Sequence, residues 1–188
     1  MRLFLGNLLH KVFACCLPLF FGVGCTELSV RTGAAITQRT GWVLLPMQNF
    51  SDSRRAGERA ESLLTALLRT EKGVDLKPYP IAAEKTKREG TDSEEVDEVD
   101  ERLRYEKALA WAQQDKHRYA IGGTVEEWGY RSGTDGEPAV SMTVRVLDLQ
   151  TGQVVFSASG ATAPFAYGPV GGAAQKLLKQ LLGPLRIY

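Results

Sequence analysis

The chain has 188 residues, a formal net charge of +1, 44% hydrophobic and 24% charged residues, and three cysteines, all at or before position 25. The sequence beyond Cys25 therefore has no thiol for an internal disulfide or a thiolate metal site, and its stability must come from an apolar core of one domain's size. Its basic residues are scattered among acids, without the clustered Lys and Arg and stacking aromatics of a nucleic-acid binder.

Arg2 and Lys11 precede an uncharged stretch from Val12 to Phe21, and Gly22 and Gly24 then lead to a cysteine. This pattern is the charged n-region and short h-region of a secretory signal, since a bilayer-spanning helix needs about 20 apolar residues. The junction FFGVGC resembles the lipobox of bacterial lipoproteins, whose cysteine is acylated, as with palmitate, before the signal is cleaved. That resemblance implies residues 1–24 as signal peptide and Cys25 as the lipidation site. With Thr26 rather than Asp after the cysteine, it implies the outer membrane as the address.

Residues 25–40 show no sustained periodicity and are expected to be a tether, with a single domain over 41–188. The domain opens with GWVLLPMQNF, a strand buried on both faces with Pro46 near its end. Ser51, Asp52 and Ser53 offer N-cap chemistry before a helix in which Ala56, Ala60, Leu63, Leu64, Leu67 and Leu68 recur at three- and four-residue intervals. Gly73 ends it, and VDLKPYP reads as a short edge strand because of Pro78 and Pro80. The run from Asp92 to Glu101 has seven carboxylates and no cation, the pattern of a solvated, self-repelling loop or of a negative surface for a cationic partner. Leu103, Ala108, Leu109 and Ala112 define a second helix. Three strands follow as an antiparallel meander, the clearest being Val140, Met142, Val144 and Val146 alternating with Ser141, Thr143 and Arg145. A last helix from about Gly171 to Leu182 places Ala174, Leu177, Leu178 and Leu181 on one face and stops at Gly183 and Pro184. The fold class is α/β (α+β), with helices packed on a mixed sheet whose C-terminal part is antiparallel.

Catalytic constellations are missing from this pattern. His117 is the one histidine after Cys25, and a surface or capping role suits its place between helix and strand better than catalysis. Glu126 and Glu127 are neighbours in a strand, so they are expected on opposite faces and unable to share a bond-cleaving site. GPVGG before the last helix hints at phosphate binding, but it lacks the Lys and Ser/Thr of a P-loop and reads as a flexible loop. Phe165 and Tyr167 stand in a Pro/Gly-rich segment, where large rings either fold over the core or meet a membrane interface or a second subunit. The expected protein is not an enzyme and uses no cofactor or metal.

The succession GWVLLPMQNFSD, RAESLLTALLR, EKALAWAQQDKHRYAIGGTVEEWGYR, DGEPAVSMTVRVLDLQTGQVVFSASG and AAQKLLKQLL resembles the PelC-type outer-membrane lipoproteins of the Pel exopolysaccharide secretion system. The LPMQNFSD opening and the element order are more distantly similar to curli-exporter lipoproteins and the TolB N-terminal domain. The resemblance implies a lipid-anchored subunit facing the periplasm, joined with its own copies in a ring beneath an outer-membrane β-barrel porin with a periplasmic repeat scaffold. It further implies that the ring guides a cationic exopolysaccharide through an acidic face. On this sequence the implied positions are Cys25 as anchor, Phe165 with Tyr167 as membrane-facing aromatics, and Asp135 with Glu137 as guiding acids. The alternative is a lipoprotein that activates a peptidoglycan synthase through a similar small domain.

Overall fold

A computed structural model describes residues 25–37, 39, 41–80, 94–131, 136–164 and 168–188, with only the backbone described at Cys25 and residues 94–100. One sheet organises the chain. In order along the sequence its strands are β1 (Cys25–Thr32), β2 (Trp42–Asn49), β3 (Leu76–Pro78), β4 (Tyr119–Tyr130), β5 (Pro138–Asp148) and β6 (Gln153–Ala163). The helices are α1 (Ala56–Leu67), which runs into a π-turn at Leu68–Lys72, α2 (Glu94–Gln114) and α3 (Val170–Leu182). Across the sheet the order is β1-β6-β5-β4-β2-β3, with β2 parallel to β3 and β4 and the remaining pairs antiparallel.

The central strands are buried on both faces where the sequence is apolar without a break. Trp42, Leu44 and Met47 of β2 join the main core, whereas Val43 and Leu45 point to the opposite face. Pro46 lies mid-strand rather than near the end. It sits inside a bulge, where the pairing of β2 with β4 shifts between Leu44 and Met47, so its missing N–H removes no ladder bond. Beyond this bulge Met47 returns to the face of Trp42 and Leu44.

Helices α1 and α3 cover one face. Ala60 and Leu64 of α1 and Leu177, Leu178 and Leu181 of α3 are fully buried against Ile121, Met142, Val144 and Phe156. Close approach of α1 needs Gly57, because a Cβ there would meet the Met47 carbonyl oxygen at 2.6 Å. The start of α1 differs from expectation: its N-cap is Arg55, without a side-chain cap. Asn49 builds the turn instead, donating its amide N–H to the Ser53 carbonyl at 2.8 Å and accepting from the Ser51 N–H and hydroxyl. Gly73 closes the π-turn in the left-handed region with φ 65°, as a C-terminal glycine should.

Helix α2 lies on the other face, where Ala108 and Ala112 meet Val43, Leu45 and Ala120. Two readings of this region are corrected. The acidic run is helical from Glu94, and carboxylates in the first turn of a helix offset its dipole, which a loop reading overlooks. Leu103 is 45% exposed while Arg104 is buried, because the inward stripe of α2 ends in charged residues that meet Glu61 of α1.

The expected tether is structured from Cys25 to Thr32. Strand β1 pairs with β6 over its whole length, from Cys25 opposite Ala163 to Thr32 opposite Phe156. Ile36 behind it is buried, bridges Ile187 and accepts the Tyr188 N–H at 3.0 Å. Sheet formation here satisfies the outer edge of β6, which would otherwise present unpaired backbone groups.

Candidate functional site

Strand direction collects the chemically distinctive positions at one end of the sheet. That end holds the start of β1 at Cys25, the end of β6 at Ala163, the junction of Tyr130 with Pro138, and the end of β2 at Asn49. Helices α1 and α3, which follow β2 and β6, begin there too. Glu137 is half-buried at the same end and its carbonyl accepts the Arg131 N–H at 2.9 Å, closing the β4–β5 hairpin beside Gly136 at φ 82°. Asp135, Phe165 and Tyr167 lie outside the described residues.

A second bulge changes the expected placement of the paired carboxylates. Val125 pairs with Met142 and Glu127 with Ser141, which leaves Glu126 as the extra residue on β4. Val125 and Trp128 both belong to the core beneath α1 and α3, so the two glutamates between them share the opposite face. The sequence expectation of opposite faces fails because strict alternation fails at a bulge. Glu126 is exposed, and its Oε1 accepts hydroxyl hydrogen bonds from Thr124 and from Thr143, the latter at 3.3 Å.

The register extends this pair into a surface. On the face opposite α1 and α3, strands β1, β6, β5 and β4 align Glu27, Ala161, Ser141 and Glu127 in one row, starting near Cys25. The next row is Ser29, Ser159, Thr143 and Thr124, and the one after it is Arg31, Ser157 and Arg145. Thr143 Oγ1 lies 3.2 Å from Ser159 Oγ. The result is an array of polar side chains, acidic near Cys25, hydroxylic in the middle and basic beyond. Its donors and acceptors are spread along the strands rather than converged on one point.

His117 packs beside Trp111 at a ring separation of 5.6 Å and stands 3.5 Å from Asp115, next to the end of α2. Lys77 donates to Asp115 at 2.7 Å, and this bond holds the Asp115 carboxyl below its usual range. Among the described residues no group of three or more His, Cys, Asp or Glu is placed to hold a metal ion.

The fold is thus a one-sheet α+β domain with helices on both faces and a polar array on the face opposite α1 and α3. No family model matches the sequence, and no curated protein matches it. Among solved structures the chain is similar to the PelC dodecamer from Paraburkholderia phytofirmans, 28% identical over 87% of this chain and 99% of that one, with a TM-score of 0.66. A substituted form of that dodecamer in another crystal form matches at 28% identity, 87% and 100% coverage and a TM-score of 0.66. A lipoprotein from Neisseria meningitidis is 18% identical over 76% of this chain and 97% of that one, with a TM-score of 0.49. The chain has a PelC-type fold.

Proposed function

We propose that this protein is an outer-membrane lipoprotein subunit of a Pel exopolysaccharide export apparatus, anchored through Cys25 and facing the periplasm. Similarity to the PelC dodecamer over most of both chains carries this reading. Copies of the chain meet head to tail and close into a ring, the arrangement that a heterologous contact gives when its rotation closes. The acidic row of Glu27 and Glu127, with Glu126 beside it, Glu137 at the β4–β5 hairpin and Asp135 two residues before it in sequence, supplies the negative face. Repeated around a ring, these carboxylates sum to a field that draws a cationic polysaccharide toward an outer-membrane porin while holding no single sugar tightly. Nothing is hydrolysed. The hydroxyl row gives sugar hydroxyls exchangeable partners, so the polymer can slide.

Mass measurement of the particle extracted from membranes in detergent should give a multiple of the chain mass. A monomer would overturn the ring. In cells, Asp135→Lys combined with Glu126→Gln and Glu127→Gln should reduce exported polymer to background while the protein still accumulates. Undiminished export in that variant would end electrostatic guidance.

A further inference from the structure

Between the N-terminal ends of α1 and α3 lies a cleft of about 360 Å³ that the guiding surface does not use. Arg55 and Arg59 stand on its rim, Leu63 and Trp128 line it, and Gly171 opens the α3 side. Several features there conflict with what stabilises an isolated domain. Arginines crowd the start of α1, where the helix dipole favours acids. Helix α3 begins without a side-chain cap or an acidic residue in its first turn. Glu58, also on the cleft, pairs with Arg55 at 3.2 Å, and Arg59 has no ion pair among the described residues. Trp128 is 5% exposed, and its indole N–H has no acceptor among the described residues. An anion would answer all four. The GPVGG segment, expected as a loop, enters α3 at Val170, so the Val170 and Gly171 N–H groups are oriented as donors, while the Gly172 N–H donates to the Pro169 carbonyl at 3.0 Å.

We propose that this cleft binds a phosphate ester, in the first instance the headgroup of an acidic phospholipid. Arginine forks match phosphate geometry, and the apolar wall of Leu63 and Trp128 suits the glycerol and first methylenes behind it. Position supports the lipid source. Because β1 starts at Cys25 itself, no spacer separates the proposed acyl anchor from the sheet end where α1 and α3 begin. This source rests on the Cys25 anchoring proposed above; the phosphate chemistry does not.

The full chain in phosphate-free detergent would be titrated calorimetrically with dihexanoyl phosphatidylglycerol, with inorganic phosphate and with dihexanoylglycerol. Saturable binding of the phospholipid, competed by inorganic phosphate and absent with dihexanoylglycerol, is expected. Arg55→Ala with Arg59→Ala should weaken it at least about tenfold, the worth of one charge-assisted hydrogen bond or more. Gly171→Glu separates binding from folding. A Cβ at Gly171 meets nothing within 4 Å, so the carboxylate enters open space, raising Tm through the α3 dipole while weakening phosphate binding at least about tenfold. Saturation by inorganic phosphate alone would keep the site and assign it to soluble phosphate. No saturation by either phosphate compound, equal binding of dihexanoylglycerol, or unchanged affinity in both variants overturns the site. Fractionation of Cys25→Ser reads anchoring separately: its retention in membranes would sink the anchor while leaving the titration to decide the cleft.

Discussion

Gly123→Ala will destabilise the chain severely, moving its urea midpoint far below that of the parent. Gly123 is central, opposite Met47 on β2 and Val144 on β5. A Cβ on it would lie 1.8 Å from the Thr143 carbonyl oxygen, 2.8 Å from the Thr143 carbonyl carbon and 3.1 Å from the Val144 Cα. All three are backbone atoms, so no rotamer change can make room. The strand must move away instead, opening ladder bonds that no water can replace. Overpacking costs typically about 1 to 3 kcal/mol, and each stranded backbone group about 1 to 3 more, so with two groups stranded the sum is about 3 to 9 kcal/mol. A domain holds only about 5 to 15 kcal/mol in total. Gly129→Ala is the control, because a Cβ at Gly129 on the same strand meets nothing within 4 Å. It should change stability by less than about 1 kcal/mol. Urea denaturation followed by far-UV circular dichroism separates the two, and a Gly123→Ala midpoint equal to that of Gly129→Ala would show that the ladder yields there.

Elements whose burial follows one periodicity were legible from residues alone. The alternation of Val140, Met142, Val144 and Val146 and the helical spacing of Leu177, Leu178 and Leu181 lead directly to fully buried side chains. What escaped depends on pairing between distant segments. Strand β1 has its own alternation, Leu28 and Val30 against Glu27, Ser29 and Arg31, yet every described side chain in it is exposed, so hydrophobicity gives little signal and only the free edge of β6 explains it. The placement of Glu126 and Glu127 on one face turns on a single extra residue in β4, and no local pattern reveals a bulge. Ser141, Thr143, Ser157 and Ser159 were visible as the polar phase of two strands, but their assembly into rows with Glu27 and Arg31 needs the register of four strands at once. Cys25 and Glu137 fall at the end of the sheet that also starts α1 and α3, which the element order alone does not disclose.

The interaction that joins the two helical layers gives the second large effect. Strand β3 pairs with Trp42 to Leu44, so beyond the bulge this edge of β2 has no strand partner among the described residues. Glu61 of α1 covers it, accepting the Met47 N–H at 2.9 Å through Oε1. The same oxygen faces Arg104 of α2 at 3.7 Å, and Arg104 in turn faces Glu101 at 3.8 Å. These side chains are 13%, 10% and 14% exposed, so their charges have little access to water. Glu61→Ala should therefore destabilise by at least about 1 to 3 kcal/mol, since it strands the Met47 N–H and leaves the buried Arg104 guanidinium with Glu101 alone. Glu61→Gln keeps an acceptor for the Met47 N–H and should cost less.

The pH dependence distinguishes burial from attraction. Burial pushes the Glu61 carboxyl above its ordinary value, outweighing the Met47 hydrogen bond and the Arg104 charge, while Glu101 and Glu58 push it further up. An acid that holds its proton more tightly when folded loses stability as pH rises, beginning near the unfolded value of 4.5 and ending at its raised folded value. Glu61→Gln has no such titration. The stability of the parent minus that of Glu61→Gln should accordingly shrink as pH increases through this window and then stay constant. A difference that grows with pH would mean that attraction to Arg104 outweighs the burial of the Glu61 carboxylate.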